Sequence, residues 1–360
     1  MKYDQKNPIP LPAAGPLEHV SSTFDSTFDW KYGLERESLL ALYEKGKART
    51  WNATELDWSI DVDIERMARD RVAMGSHEVV NSLLDPPRPL SADESVRMQL
   101  EINAWMISQF LHGEQGALLA TAKIVMAAPN EEAKWYAANQ VADEARHVEV
   151  YHRYLTEKLG CSYEVNHHLQ RLLDDIIQDS RWDMTYLGMQ IMVEGLALAA
   201  FGLMKTQMPD EPLIQDITTR IMQDEARHVA FGVLALEDLY RNQLTSAELR
   251  EREDFVIEAT HLMRDRLLME QVYGRLGWDV PVWVDWAKRT PFMTGFRQML
   301  FSKIVPNLKR LGLLTPRVRE EYGKLGLLAF ENDPDSTIAP EVEAPEELVQ
   351  LVDQIRAGRA

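Results

Sequence analysis

Cysteine is nearly missing from this chain: Cys161 is the only one in 360 residues. That excludes an intramolecular disulfide and any zinc or iron–sulfur site built on several thiolates. A reducing compartment, the cytoplasm, is the expected setting. An excess of positive charge is missing too. Lys and Arg number 39 against 57 Asp and Glu, a formal charge of −18. Binding to a phosphate backbone draws on clustered cations, so no nucleic-acid partner is expected. The most apolar stretches, Ala117 to Ala128 and Gly195 to Met204, are shorter than the roughly twenty residues of a membrane span, and none is expected. The opening residues hold Pro8, Pro10, Pro12 and Pro16 and lack the apolar core of a signal peptide, so residues 1–34 read as an extended leader. No stretch alternates apolar and polar residues between turn signals at strand spacing. What remains is an all-α chain whose 45% hydrophobic content is ample for a core.

The helical domain is expected over 35–330, followed by an acidic, mobile tail over 331–360 in which only Pro345 to Arg356 could form a short helix. Helix-compatible sequence starts near Glu35. The segment Arg49 to Ser59, with Trp51 and Trp58, reads as a loop or cap packed on the body. A helical pattern from Val62 to Leu84 ends at Pro86-Pro87-Arg88-Pro89. Ser91 with Glu94 forms an N-terminal signal, and the pattern then runs unbroken to Ala128, where Pro129 stops it. Asn130 caps a second helix from Glu131 to Leu159, closed by Gly160. A third spans Arg181 to Met208 before Pro209, a fourth Glu211 to Asn242, and a fifth Thr245 to Gly274. Further helices are expected over 291–311 and 315–330.

One five-residue word occurs twice, as Asp143-Glu144-Ala145-Arg146-His147 and as Asp224-Glu225-Ala226-Arg227-His228. Each copy has a glutamate about thirty residues upstream, Glu114 and Glu194, and a proline between, Pro129 and Pro209. Two helix pairs of the same design make a four-helix bundle, with its core over 91–243. Residues three apart share a helix face, so Glu144 with His147, and Glu225 with His228, can each clamp one metal ion. Adding Glu114 and Glu194 from the preceding helices gives four carboxylates and two imidazoles, a donor set suited to two iron or manganese ions rather than zinc. Asp143 and Asp224 are placed to accept the other imidazole N–H of the histidine on the opposite helix, and Arg146 and Arg227 to hold those acids. A single Glu-x-x-His is common on ordinary solvated helices and says little. The matched pair is different, because four acids converging in a bundle without a cation would be costly.

On these residues the chain resembles the ferritin-like di-iron carboxylate superfamily. The repeated Asp-Glu-x-Arg-His word resembles the signature of bacterial multicomponent monooxygenase hydroxylases, acyl-carrier-protein desaturases and ribonucleotide reductase small subunits, over about residues 90 to 240. The resemblance implies a ferritin-like four-helix bundle with flanking helices and two iron ions, or a manganese–iron pair, that activate O2. It also implies electrons from a separate reductase or ferredoxin. Glu114, Glu144 and His147 would hold one metal and Glu194, Glu225 and His228 the other, with Glu144 and Glu194 as the bridging pair. Glu114 and Glu194 are then also candidates for catalytic residues. Tyr151, one turn past His147, stands where ribonucleotide reductase small subunits carry a radical tyrosine. The chain departs from the pattern at Ala197 and Leu198, where related oxygenases tend to have a hydroxyl, and at Ile221, where arylamine N-oxygenases have an extra histidine.

Helical spacing makes Phe110, Ala117, Leu118 and Thr121 on the first bundle helix, and Ile191, Ala197, Leu198 and Phe201 on the third, candidates for a substrate pocket. The expected function is an O2-activating monooxygenase or desaturase acting on an apolar or aromatic small molecule, with a homodimer as the expected assembly. Two other classes stay open. One is a radical-generating di-metal subunit serving a partner protein. The other is a ferritin-like iron-handling protein, which two complete ligand triplets and the long C-terminal part disfavour. His112 and His152 face away from the ligand positions, and His167-His168 has no partner at an interpretable spacing.

Overall fold

A computed structural model describes residues 17–30, 32–339 and 346–358 of the protein, so the prolines of residues 1–16 lie outside the described part. Among the described residues every regular element is a helix. Helices α1 (Glu37–Ala48), α2 (Ile64–Ala73) and α3 (Ser76–Leu83) precede the bundle. The bundle is α4 (Ala92–Ala127), α5 (Glu131–Arg153), the pair α7 (Trp182–Tyr186) and α8 (Glu194–Gln207), and α9 (Pro212–Asp238), with α6 (His167–Gln178) against its side. The remainder consists of α10 (Ser246–Asp265), α11 (Glu270–Leu276), α12 (Val280–Arg289), α13 (Pro291–Leu300), α14 (Ile304–Leu311), α15 (Pro316–Lys324) and α16 (Glu346–Ala357).

The bundle helices begin where side-chain chemistry starts them. Ser91 and Glu94 form a reciprocal capping box on α4, and Asn130 accepts the Ala133 amide to open α5. Glu211 takes the Leu213 and Ile214 amides at the start of α9, with Pro212 as its first residue. At the end of the α5 helix, Gly160 adopts φ 66°, a left-handed conformation suited to glycine. Between α7 and α8, residues Leu187–Val193 take wider π-helical turns without interrupting the rod, and similar turns extend α5 over Tyr154–Leu159 and α9 over Leu239–Gln243. One apolar core runs through the bundle and joins it to α13–α15.

Several elements differ from the sequence expectation. The 62–84 pattern is two helices, because Gly75 at φ 96° turns the chain between α2 and α3. The fifth helix stops at Asp265, and Met269 at φ 56° separates it from α11. The 291–311 segment divides into α13 and α14 around Phe301 to Lys303. Helix α6 was not expected from the sequence; it buries Leu169, Leu172 and Ile176 on one face. The acidic tail is not loose over its described first part. Arg310 pairs with Asp335 at 3.1 Å, Asn307 bonds the buried Ser336, and Lys303 donates to the Ala339 carbonyl.

The longest apolar helix also exceeds the sequence expectation. The continuous rod Trp182–Gln207 has 26 residues and is long and apolar enough to cross a bilayer, but 89% of its most apolar window is buried inside the protein. Its hydropathy is that of a core helix.

Candidate metal centre

Each of the four bundle helices delivers one part of a buried polar cluster. Glu114 comes from α4, Glu144 and His147 from α5, Glu194 from the first turn of α8, and Glu225 and His228 from α9; all six are buried. Their donor atoms form two overlapping groups, each within 4.8 Å: Glu114, Glu144, His147 and Glu225 in one, and Glu144, Glu194 and His228 in the other. His147 Nδ1 lies 3.3 Å from Glu114, 3.4 Å from Glu144 and 3.2 Å from Glu225. His228 Nδ1 lies 3.1 Å from Glu144 and 3.4 Å from Glu225.

The central pair is therefore Glu144 and Glu225, each touching both imidazoles, with Glu114 and Glu194 at the two ends. This differs from the expected bridging pair, Glu144 and Glu194. Spacing assigns residues to a helix face but does not show how far each carboxylate reaches across the axis. Glu194 instead accepts a hydrogen bond from the buried Gln140, at 2.9 Å, and Gln140 also bonds Glu144 at 3.0 Å.

Around this cluster the two repeats interlock. His147 Nε2 is 3.2 Å from Asp224, and His228 Nε2 is 3.3 Å from Asp143, so each aspartate serves the histidine of the other copy. Arg146 donates to Asp143 and Arg227 to Asp224. An Nε2–H donated to these acids leaves each Nδ1 lone pair facing the carboxylates. The two ends are not equivalent. Trp51 reaches in from the segment before the bundle and donates its indole N–H to Asp224 at 2.7 Å, whereas Asp143 has Asn139 at 3.2 Å. No spacing rule in the sequence points to Trp51 or Gln140.

The electrostatics of the cluster are those of carboxylates in excess. Burial, then the Glu225 charge, pushes Glu114 and Glu194 well above the ordinary carboxylate range. Burial works against Glu144 as well, but His228 and His147 outweigh it and hold this acid low. Asp224 is held near about 2, its bond to His147 overcoming burial. Both imidazoles are raised, because Glu114 and Glu225 outweigh the burial that opposes their charging. Neither oxygen of Glu225 has a hydrogen-bond partner, and one oxygen each of Glu144 and Glu194 and His228 Nδ1 are equally unpartnered. Orphaned buried acceptors are rare in native interiors and call for a cation. The donor set fits: two divalent ions would cancel four carboxylates, and the outer Asp–Arg pairs are already neutral among themselves.

Of the proposed pocket residues, Phe110 opens onto a cavity, and its ring packs on Phe201 at 4.6 Å and Tyr151 at 5.8 Å. Leu198 lines a separate groove with Lys45, Arg49 and Arg227. Ala117, Thr121, Ile191 and Phe201 are buried, and Leu118 and Ala197 half-buried; none of these borders either of those spaces. Tyr151 is fully buried and its hydroxyl has no partner. His112 bonds the Tyr163 carbonyl at 2.9 Å, away from the cluster. His167 and His168 do meet a partner, Glu270 of α11, too distant in sequence for spacing to suggest.

No protein-family model matches the sequence, and neither does any curated protein. Solved structures of R2-like ligand-binding oxidases are similar in fold. A single-site variant with an anaerobically reconstituted Mn/Fe cofactor is 17% identical, with 76% of this chain and 92% of that chain covered and a TM-score of 0.45. A form with an aerobically reconstituted Mn/Fe cofactor is 13% identical, with 89% of this chain and 92% of that chain covered and a TM-score of 0.42. Similarity of this degree leaves the chemistry of this chain to its own side chains.

Proposed function

We propose that the protein is an O2-dependent di-metal oxidoreductase of ferritin-like design, loaded with two iron ions or a manganese–iron pair and supplied with electrons by a separate reductase or ferredoxin. One observation carries the reading: buried, unpartnered carboxylate oxygens of Glu144, Glu194 and Glu225, from three helices, lie with Glu114 of the fourth beside two imidazoles whose far nitrogens are already committed to aspartates. Glu144 and Glu225 are the bridging candidates, and Glu114 with His147 and Glu194 with His228 complete the two ends. When bound, the metal pair supplies the redox chemistry with O2.

The protein's own part is to orient and to exclude water. Asp143 and Asp224 fix each histidine in one tautomer, and Arg146 and Arg227 pair with those acids and hold them in place. The Asp224 end carries an indole N–H that the Asp143 end lacks, so the two positions differ in their surroundings. That inequivalence favours a mixed pair as readily as a matched one. Phe110, Phe201 and Tyr151 form an aromatic wall one turn from Glu114 and suit an apolar substrate.

The test is an anaerobic ferrous titration. Two ions per chain are expected, with Glu225→Gln reducing the affinity of both positions because its carboxylate touches both imidazoles. Admitting O2 to the reduced protein should then consume it stoichiometrically. A protein that takes up no ferrous ion, or that accumulates iron far beyond two per chain, refutes the reading.

A second reading, radical storage by Tyr151 for a partner protein, has one observation in its favour. The phenol is buried, its hydroxyl is unpartnered, and burial followed by the Glu114 charge holds its pKa well above ordinary tyrosine. It predicts a stable tyrosyl signal by electron paramagnetic resonance that Tyr151→Phe removes.

A further inference from the structure

Among the described residues, Arg266 is a buried charge left without a partner. Arg266 opens the short turn Arg266–Leu268 after α10 and is 7% exposed. Its Nη1 has no hydrogen-bond partner, and burial alone acts on the guanidinium, drawing its pKa down to about 10 with no carboxylate opposing. Other buried arginines here are paired, Arg252 with Asp183 at 2.9 Å and Arg227 with Asp224. An uncompensated interior charge is strongly unfavourable, so Arg266 stands in need of an anion. The backbone beside it is also unusual, since Met269 holds φ 56° without being glycine.

Arg266 faces space. It lines a cavity of about 60 Å³ whose other walls include Trp105, Phe110, Leu203, Leu267 and Phe296, with no acidic residue among them. This chamber adjoins a second of about 200 Å³, roofed by α16, and Ile102, Gln207, Met269, Phe292 and Met293 border both. On the bundle side the small chamber ends at Phe110, one helical turn from Glu114. A lone cation, an apolar passage and the wall of the metal centre thus lie in sequence.

We propose that Arg266 is the anchor for a carboxylate and that the substrate is an apolar monocarboxylic acid. Its head pairs with the guanidinium in the small chamber, where the planar fork can take both oxygens. Its apolar body fills the space between Phe110 and the larger chamber. Calling this acid the substrate rests on the oxidoreductase reading above; the anion site itself does not.

The experiment is calorimetric titration of the full chain with decanoate and with decanol, metal-free and, anaerobically, after ferrous loading. Decanoate should bind at a single site and about a hundredfold more tightly than decanol. Arg266→Met should abolish that preference while leaving the ligand-free protein at least as stable, because an uncompensated charge is removed. Arg266→Lys should retain part of the preference. Arg71→Met, at the polar end of the larger chamber, should leave it intact. Equal affinity for acid and alcohol in the unaltered protein overturns the proposal. So does unchanged decanoate binding in Arg266→Met, or loss confined to Arg71→Met. Should Arg266→Met fail to fold, the acid–alcohol comparison and Arg266→Lys still decide. A chain that binds decanoate through Arg266 but takes up no iron refutes the oxidoreductase reading alone; one that takes up two irons and no acid refutes the anchor alone.

Discussion

Gly232 offers a sharp test of how the metal centre is held in place. It stands four residues after His228, the place that Tyr151 takes after His147. A methyl group added there would sit 2.6 Å from the Cβ of Gln190 and 3.1 Å from Ile191 Cδ1. Carbon atoms pack at roughly 3.5–4.0 Å, so the two rods must part by about 1 Å. The displaced partner is the π-helical stretch Leu187–Val193, whose next residue is Glu194. In Gly232→Ala, overpacking should cost about 1–3 kcal/mol, offset by about 1 kcal/mol of helix propensity. The net is roughly 0–2 kcal/mol of destabilisation, with ferrous affinity at the Glu194 end falling about tenfold or more. Gly113→Ala is the control, because nothing lies within 4 Å of its added methyl. That change should stabilise by about 1 kcal/mol and leave metal binding alone. Urea unfolding of both variants and anaerobic ferrous titration measure the contrast. If Gly232→Ala gains stability as Gly113→Ala does and binds two ions normally, the π-helical stretch does not set the position of Glu194.

Trp51→Phe removes the 2.7 Å bond to Asp224 and should lower stability by about 1.5–3 kcal/mol, read by denaturant titration. If the indole also carries electrons to the loaded centre through Asp224, the same change should slow its reduction; an unaltered reduction rate in stopped-flow absorption would exclude that path. Arg252→Met leaves the buried Asp183 without its guanidinium, with only Tyr240 at 3.0 Å, and should cost about 3–5 kcal/mol. In the metal-free protein Glu114, Glu194 and both histidines all have folded-state pKa values raised above their ordinary ones. The folded state then binds more protons than the unfolded one. Their stabilisation is present below the ordinary values and is lost as pH rises through the folded ones. Melting of the metal-free protein should therefore fall from about pH 5 to 8, and ferrous binding should release protons; a flat profile contradicts the buried acids.

The repeat was the legible part of the sequence. Two copies of Glu-x-x-His with matched upstream glutamates and prolines place six side chains on four helices, because a helix repeats its face every three to four residues. The structure brings those six together, and the crossed Asp–His contacts follow from the same pairing of helices. The periodicity does not encode how far each side chain reaches, so Glu225 rather than Glu194 lies beside both imidazoles. Glu114 and Glu194 lie 80 residues apart and His147 and His228 81, and this one-residue difference is absorbed in the turn before α9, as α5 begins after Asn130 and α9 after Glu211. Trp51, Gln140 and Arg266 were not legible at all. Their importance comes from contacts across long separations in sequence, or from the absence of any contact. The breaks at Gly75 and Met269 leave no mark in the sequence pattern, because helical periodicity persists on both sides of a single left-handed residue.

The rod Trp182–Gln207 has a history before it has a place. As the chain leaves the ribosome, this greasy segment emerges ahead of α9, α10 and α14, all of which later pack on it. Until they arrive it has the length and oiliness of a bilayer anchor, and a chaperone or a lipid surface would compete for it. Because Glu194 sits midway along it, hiding the grease and completing the metal claw are one event, and a newborn chain cannot do the second without the first.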